Sequence, residues 1–225
     1  MNGARSLGVV TGLIAEAALI APRHRARATG ARPGRAAALA EALLAEGCTM
    51  LASFGLAGGI DPRLLPGALV LPNRILDADG RVFETDATWR VRLGALAGAH
   101  ESGAILGSER ALATTADKAH AHARTGALAV DMESHEVARV AHAHGVPFIA
   151  VRAVADPAGR GIPTAALHGI APDGGTRPLA VICATLARPW QLPALLRLAG
   201  DSRRAALTLR RVALLGGGAL GMDIA

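Results

Sequence analysis

The chain has 225 residues, 51% apolar but only 2% aromatic, with no tyrosine and a formal charge of +6. That length suits one α/β domain with a sizeable core, built here from alanine, valine, leucine and isoleucine. The excess charge is almost all arginine, since Lys118 is the only lysine, and no aromatics interleave with the arginines as a base-stacking surface requires, which argues against nucleic acid.

In chain order, LGVVTG (7–12) is a short apolar run stopped by glycine and reads as a buried strand. LIAEAALI then turns helical. GRAAALAEALLAEG (34–47) has apolar alanine-rich faces and a glycine stop, the pattern of a helix. TMLASFG and GALVLP read as strands joined by a loop, LAGGIDPRLLP (56–66). SGAILG is a strand, and ERALATTADKAHAHARTG (109–126) a helix with a turn. GALAVDM is a strand, after which Ser134 can cap a helix whose Val137, Val140 and Ala141 share a face. GVPFIAVRAVAD is the last strand, with Pro147 tolerable at its start. A loop, a helix near 179–187 and a basic, partly amphipathic helical tail (190–225) complete a single domain spanning 1–225. Alternating strands and helices indicate the α/β class.

Several features narrow the setting. Cys48 and Cys183 form no metal-spaced or disulfide pattern, which fits a reducing, cytoplasmic compartment. The apolar run near the start contains Glu16 and is followed by basic residues, unlike a secretory leader, and no apolar stretch reaches the about 20 residues that cross a bilayer. His120, His122, His142 and His144 form two His-Ala-His patterns, but helical residues two apart do not face each other, so no metal site is expected.

Carboxylates stand where the apolar strands end: Asp131 and Glu133 after one, Asp156 after the next. Such ends are where open α/β sheets bind ligands, although helix and turn capping would also account for them. AVDMESHEVARVAHAHGVPFIAVRAVAD resembles the signature of the nucleoside phosphorylase and nucleosidase superfamily, a Met-Glu pair after one strand and Val-Arg-Ala-x-x-Asp on the next. GLIAEA resembles its first-strand turn with a catalytic glutamate, and SFGLAGGIDPRLLPGALVLP its ribose-wrapping glycine loop. Within the superfamily, DMESHEVARVA, SFGLAGG and the basic tail are most similar to hopanoid-associated phosphorylases, which release adenine from adenosylhopane. The resemblance implies a single three-layer domain with a central mixed sheet flanked by helices. It also implies a homo-oligomer acting on a nucleoside with an apolar 5′ group, no cofactor, and inorganic phosphate as co-substrate. Hydrolysis of methylthioadenosine or adenosylhomocysteine, and nucleoside binding without turnover, are the alternatives.

Breaking an N-glycosidic bond builds positive charge on the sugar and negative charge on the departing purine. On the resemblance, Asp156 donates a proton to the purine, a role that burial favours by raising a carboxyl pKa; locally it could equally open the Asp-Pro turn. Glu133 would accept both ribose hydroxyls through its two oxygens, and Met132 would lie on the purine face. Glu16 occupies the position of the family's water-activating base. The glycine loop Gly55, Gly58 and Gly59 permits close backbone approach to a sugar or anion, and the resemblance places Gly12, Leu56, Ala57 and Gly58 against the substrate. Where many phosphorylases carry phosphate-holding Arg and Ser, this chain has Ser53 and Leu56. Arg35, at the opening of the Gly34 helix where backbone amides favour anions, is therefore the first candidate for phosphate, with Arg32 and Arg25 as substitutes. The arginines and leucines of the tail would suit peripheral contact with an anionic membrane.

Overall fold

LGVVT and FIAVRAVAD are apolar at nearly every position, Arg152 being the exception inside the second, so as strands they must be covered on both faces. The computed structural model describes residues 5–20, 25–30, 32, 34–167, 175, 188–217 and 220–222. Its first half comprises β1 (Leu7–Thr11), α1 (Ile14–Ile20), β2 (Arg25–Ala28), α2 (Arg35–Ala45), β3 (Met50–Gly59), β4 (Leu69–Val70), β5 (Arg74–Leu76) and β6 (Val82–Glu84). Then come α3 (Ala87–Ala97), β7 (Ala104–Gly107), α4 (Thr115–Thr125), β8 (Ala129–Asp131), α5 (Ser134–His144), β9 (Phe148–Asp156) and α6 (Thr164–Leu167). A 3-10 turn at Pro189–Gln191 leads into α7 (Leu192–Leu215).

The strands form one mixed sheet in the order β2-β1-β3-β8-β7-β5-β6, with β9 on β3 and β4 on β9. β1, β3 and β9 run parallel, so their carboxyl ends share one edge. β8 meets the far end of β3 antiparallel, pairing Gly58 with Val130 and Gly59 with Ala129. One apolar layer packs α2 and α5 on the sheet through Ala40, Leu43, Val137 and Val140. The opposite layer packs Leu93 of α3 and Ala205, Leu209 and Val212 of α7 against Val9, Phe54 and Val151. The result is a three-layer α/β domain with helices on both faces of a mixed sheet.

Several boundaries differ from the sequence reading. The expected loop at 56–66 is strand through Gly59, because β3 pairs with β9 along its length and with β8 at its end. The helix expected from 109 begins at Thr115, where the Thr114 hydroxyl accepts from the Asp117 amide at 3.0 Å. β2, the β5–β6 hairpin and α3 were not assigned from sequence. β2 is charged and half exposed, and the hairpin strands are three residues each, too short to show a period. The helix expected near 179–187 lies outside the described residues. The basic, partly amphipathic tail forms α7, and burial of Ala205, Leu209 and Val212 packs it into the layer against β9.

Candidate active site

The turn after β1 reverses the chain so that the first turn of α1 faces back toward the sheet edge. Glu16, buried there, sends one carboxylate oxygen to the amides of Gly12 (2.9 Å) and Leu13 (2.8 Å) and the other to the Leu56 amide (2.9 Å). Three donors on one carboxylate fix its position. Burial nevertheless pushes its pKa above the ordinary value, while the amides and the charge of Arg152 pull part of the shift back. Close packing explains two glycines. A Cβ on Gly55 would stand 2.8 Å from Glu16 Oε2, and one on Gly12 would stand 3.1 Å from Glu133 Oε1 and 3.4 Å from Glu16 Oε2.

Glu133 follows β8 and is also buried, accepting from the Thr29 hydroxyl at 3.3 Å. Behind it runs a buried polar network. Arg152, fully buried on β9, donates through Nε to Asp131 Oδ2 at 2.7 Å and through Nη2 to the Ser53 hydroxyl at 2.6 Å, and also pairs Nη2 with Asp131. Ser134 donates both its hydroxyl (2.6 Å) and its amide (3.0 Å) to the same Asp131 oxygen. Glu133 lies 3.9 Å from the Arg152 guanidinium. Burial, with Asp131 beside it, pushes the Glu133 pKa up to about 8 despite Arg152. An acid so poised can accept hydrogen bonds from a polyol that restores its charge, or hold a proton when the site is vacant.

Asp156 ends β9. Gly58 on β3 makes room for it, since a Cβ there would stand 3.1 Å from Asp156 Oδ2. The other neighbour of that oxygen is Lys118 of α4, fully buried, whose Nζ lies 2.5 Å away. The same ammonium donates to the main-chain carbonyls of Asp156, Pro157 and Arg160 at 3.2, 3.1 and 2.9 Å. Burial raises the Asp156 pKa, Lys118 opposes the rise, and Asp201 on α7 adds to it.

These groups line a cavity of about 630 Å³, within the range of small-molecule sites. The lining includes Gly12, Glu16, Leu56, Ala57 and Gly58 on one side and Met132, Glu133 and Asp156 on the other. Leu13, Leu112, Ile162, Ala166 and Leu198 supply an apolar wall. Two expected site residues are placed elsewhere. Ser53 is fully buried and spends its hydroxyl on Arg152 and Ser134, and Arg35 opens α2 outside the lining. The α2 amides that were to favour phosphate already hold a carboxylate, since Glu136 accepts from Gly34 at 2.6 Å and Ala37 at 2.9 Å. Arg25 turns to Glu46 on the surface, whereas Arg32 does line the cavity. Sequence reasoning missed Arg152, Asp131 as its partner, and Lys118; the only visible signal for the last was its being the sole lysine. Among the described residues no cluster of His, Cys, Asp or Glu could hold a metal ion.

The family model described as the phosphorylase superfamily matches residues 4–187. A curated futalosine hydrolase of Streptomyces coelicolor is 33% identical over 156 residues, covering 59% of this chain and 66% of that protein. The chain thus spans just under two thirds of that relative's length. Among solved structures, a 5′-methylthioadenosine/S-adenosylhomocysteine nucleosidase from Neisseria meningitidis, in complex with methylthio-immucillin-A, is 17% identical. It has a TM-score of 0.71 over 94% of this chain and 98% of its own. Futalosine hydrolase of Helicobacter pylori is 14% identical with a TM-score of 0.65, over 92% and 97%. At these identities the structural likeness bears on the fold.

Proposed function

The chain belongs to the phosphorylase superfamily, and we propose that it hydrolyses the N-glycosidic bond of a 5′-modified adenosine. The observation that carries this reading is the Glu16 carboxylate, held on the cavity wall by three backbone amides beside Glu133. A carboxylate fixed there takes a proton from water as the water oxygen bonds to the anomeric carbon. Glu133 accepts the ribose hydroxyls, and the two acids favour the cationic sugar. As the bond breaks its electrons pass to the purine, and Asp156 donates a proton to a purine nitrogen. The apolar wall supports an apolar 5′ substituent, and adenosylhopane is the substrate that the sequence resemblance suggests.

A second reading keeps phosphate as the nucleophile and rests on Arg32, which lines the cavity. A phosphate dianion would have to stand close to Glu16 and Glu133, so water is the stronger reading. Membrane contact belongs to the same reading. The outward stripe of α7 carries Leu196, Leu207 and Leu214 with Arg203 and Arg210, and the helix's single acid, Asp201, is buried and paired with Arg160 and Arg204. That combination suits an anionic lipid surface.

The test is release of base and identity of the sugar, using 5′-substituted adenosines and futalosine, with and without phosphate. Free sugar formed at the same rate in both buffers is expected, and Asp156→Asn should lower turnover by about 100- to 10,000-fold with little change in substrate affinity. A 1-phosphorylated sugar whose yield tracks phosphate would establish the second reading instead. No base released from any of them would end both.

A further inference from the structure

A buried lysine is costly unless its charge is matched, and Lys118 is matched with unusual completeness. Its ammonium touches one carboxylate oxygen of Asp156 and three carbonyls of the 156–160 segment, with no exposure to solvent. We infer that Lys118 is a positioning residue for proton delivery: it aims the Asp156 carboxyl across Gly58 into the cavity and stabilises the carboxylate left behind when the proton goes to the leaving base. This rests on the hydrolytic reading above, in which Asp156 is the donor.

The step balances simply. The electron pair of the broken carbon–nitrogen bond stays on the base, the Asp156 proton moves to that base, and Asp156 becomes a carboxylate. Lys118 stays an ammonium throughout, so the ion pair it makes is strongest as the transfer completes. An interaction that strengthens along the reaction lowers the barrier rather than merely tightening binding. The other charges around the pair cannot substitute for it. Asp201 on α7 has the wrong sign and is itself held by Arg160 and Arg204, through side chains that reach away to the surface. β3 offers Gly58 and β8 offers Val130 at this point, neither charged. Among the described residues, Glu109 and Arg110, on the loop before α4, are the other charged groups of the cavity lining near α4.

The experiment compares the parent with Lys118→Met, Asp156→Asn and the double variant on two substrates: an adenosine-type nucleoside, and a nitrophenyl riboside whose leaving group departs without a proton. The parent must cleave both; if it cleaves neither, the hydrolytic reading has failed and not this inference. For the nucleoside, Lys118→Met should lose about 100-fold or more in turnover, within the usual range for proton-transfer catalysis. Its alkaline limb should move up by about 1–3 pH units as Asp156 loses its cationic neighbour. The nitrophenyl riboside should be cleaved within a few-fold of the parent rate. In the Asp156→Asn background, removing Lys118 should cost little more. If Lys118→Met does not fold, the double variant, which buries no lone charge, still reports whether the two losses coincide. Equal losses on both substrates, an unmoved alkaline limb, or losses that multiply in the double variant would make Lys118 a purely structural tie and overturn the inference.

Discussion

Gly55→Ala perturbs the site while leaving every reacting side chain chemically unchanged. The added methyl would stand 2.8 Å from Glu16 Oε2 and 2.9 Å from both Cδ and Oε1, whereas carbon contacts settle near 3.5–4.0 Å. Gly55 is not among the positive-φ glycines, so alanine brings no backbone strain there. The carboxylate must therefore withdraw by roughly 0.5–1 Å to reach an ordinary contact, and it cannot do so while bonded to Gly12, Leu13 and Leu56. Each hydrogen bond to a charged group is worth about 1.5–3 kcal/mol. Losing one or two, with partial recovery from water in the cavity, leaves a net cost of about 2 kcal/mol. In a domain of this size that lowers the melting temperature by about 4–8 °C. Turnover should fall further, by about 100- to 10,000-fold, because the displaced group is the proposed base. Base release per folded molecule and a thermal melt give both numbers. Gly8→Ala is the control: its methyl meets Leu43 and Leu51 in the core, so it should destabilise without lowering turnover per folded molecule. Turnover of Gly55→Ala within a few-fold of the parent would refute the placement of Glu16 as the water base.

Glu133 makes stability pH-dependent. Its folded pKa, about 8, lies above the ordinary 4.5, so the folded state retains a proton that the unfolded chain releases; this contribution is complete below the unfolded value and is lost as pH rises through about 8. The ligand-free protein should melt at lower temperature near pH 9 than near pH 5, and Glu133→Gln should reduce that fall, with an undiminished fall counting against the assignment. On α7, Leu207→Glu with Leu214→Glu should reduce co-sedimentation with anionic vesicles at low salt while turnover of a water-soluble nucleoside is kept. Failure of the parent to bind such vesicles would remove the membrane contact.

The strand ends were legible in the sequence because strand and acid are adjacent: Asp131 and Glu133 follow their apolar run directly, as Asp156 does its own. What supports those acids was not legible, because the partners lie far apart in the chain. Lys118 and Asp156 are 38 positions apart, Arg152 and Asp131 21, and Glu136 and the Gly34 amide 102. The glycines were noticed for a different reason from the one the structure gives. Gly12, Gly55 and Gly58 read as backbone open to a sugar or anion, yet each is bare because one of the protein's own carboxylates packs on it.

Charge shows the same divide between the chain and its site. The formal +6 could suit an anionic partner, and phosphate was expected from the family resemblance. Yet the cavity lining carries Glu16, Glu109, Asp131, Glu133 and Asp156 against Arg32 and Arg110. With Glu133 and Asp156 protonated and Asp131 paired with Arg152 behind the wall, Glu16 and Glu109 stand against Arg32 and Arg110, an even balance. What weighs against a phosphate dianion in the proposed hydrolytic reading is local: Glu16 and Glu133 stand together beside Gly12, and the α2 amides already hold the Glu136 carboxylate. The surplus arginine is elsewhere, with Arg197, Arg203, Arg210 and Arg211 on the exposed faces of α7. Net charge therefore describes what the outside of this molecule meets and says little about the acids that line the cavity.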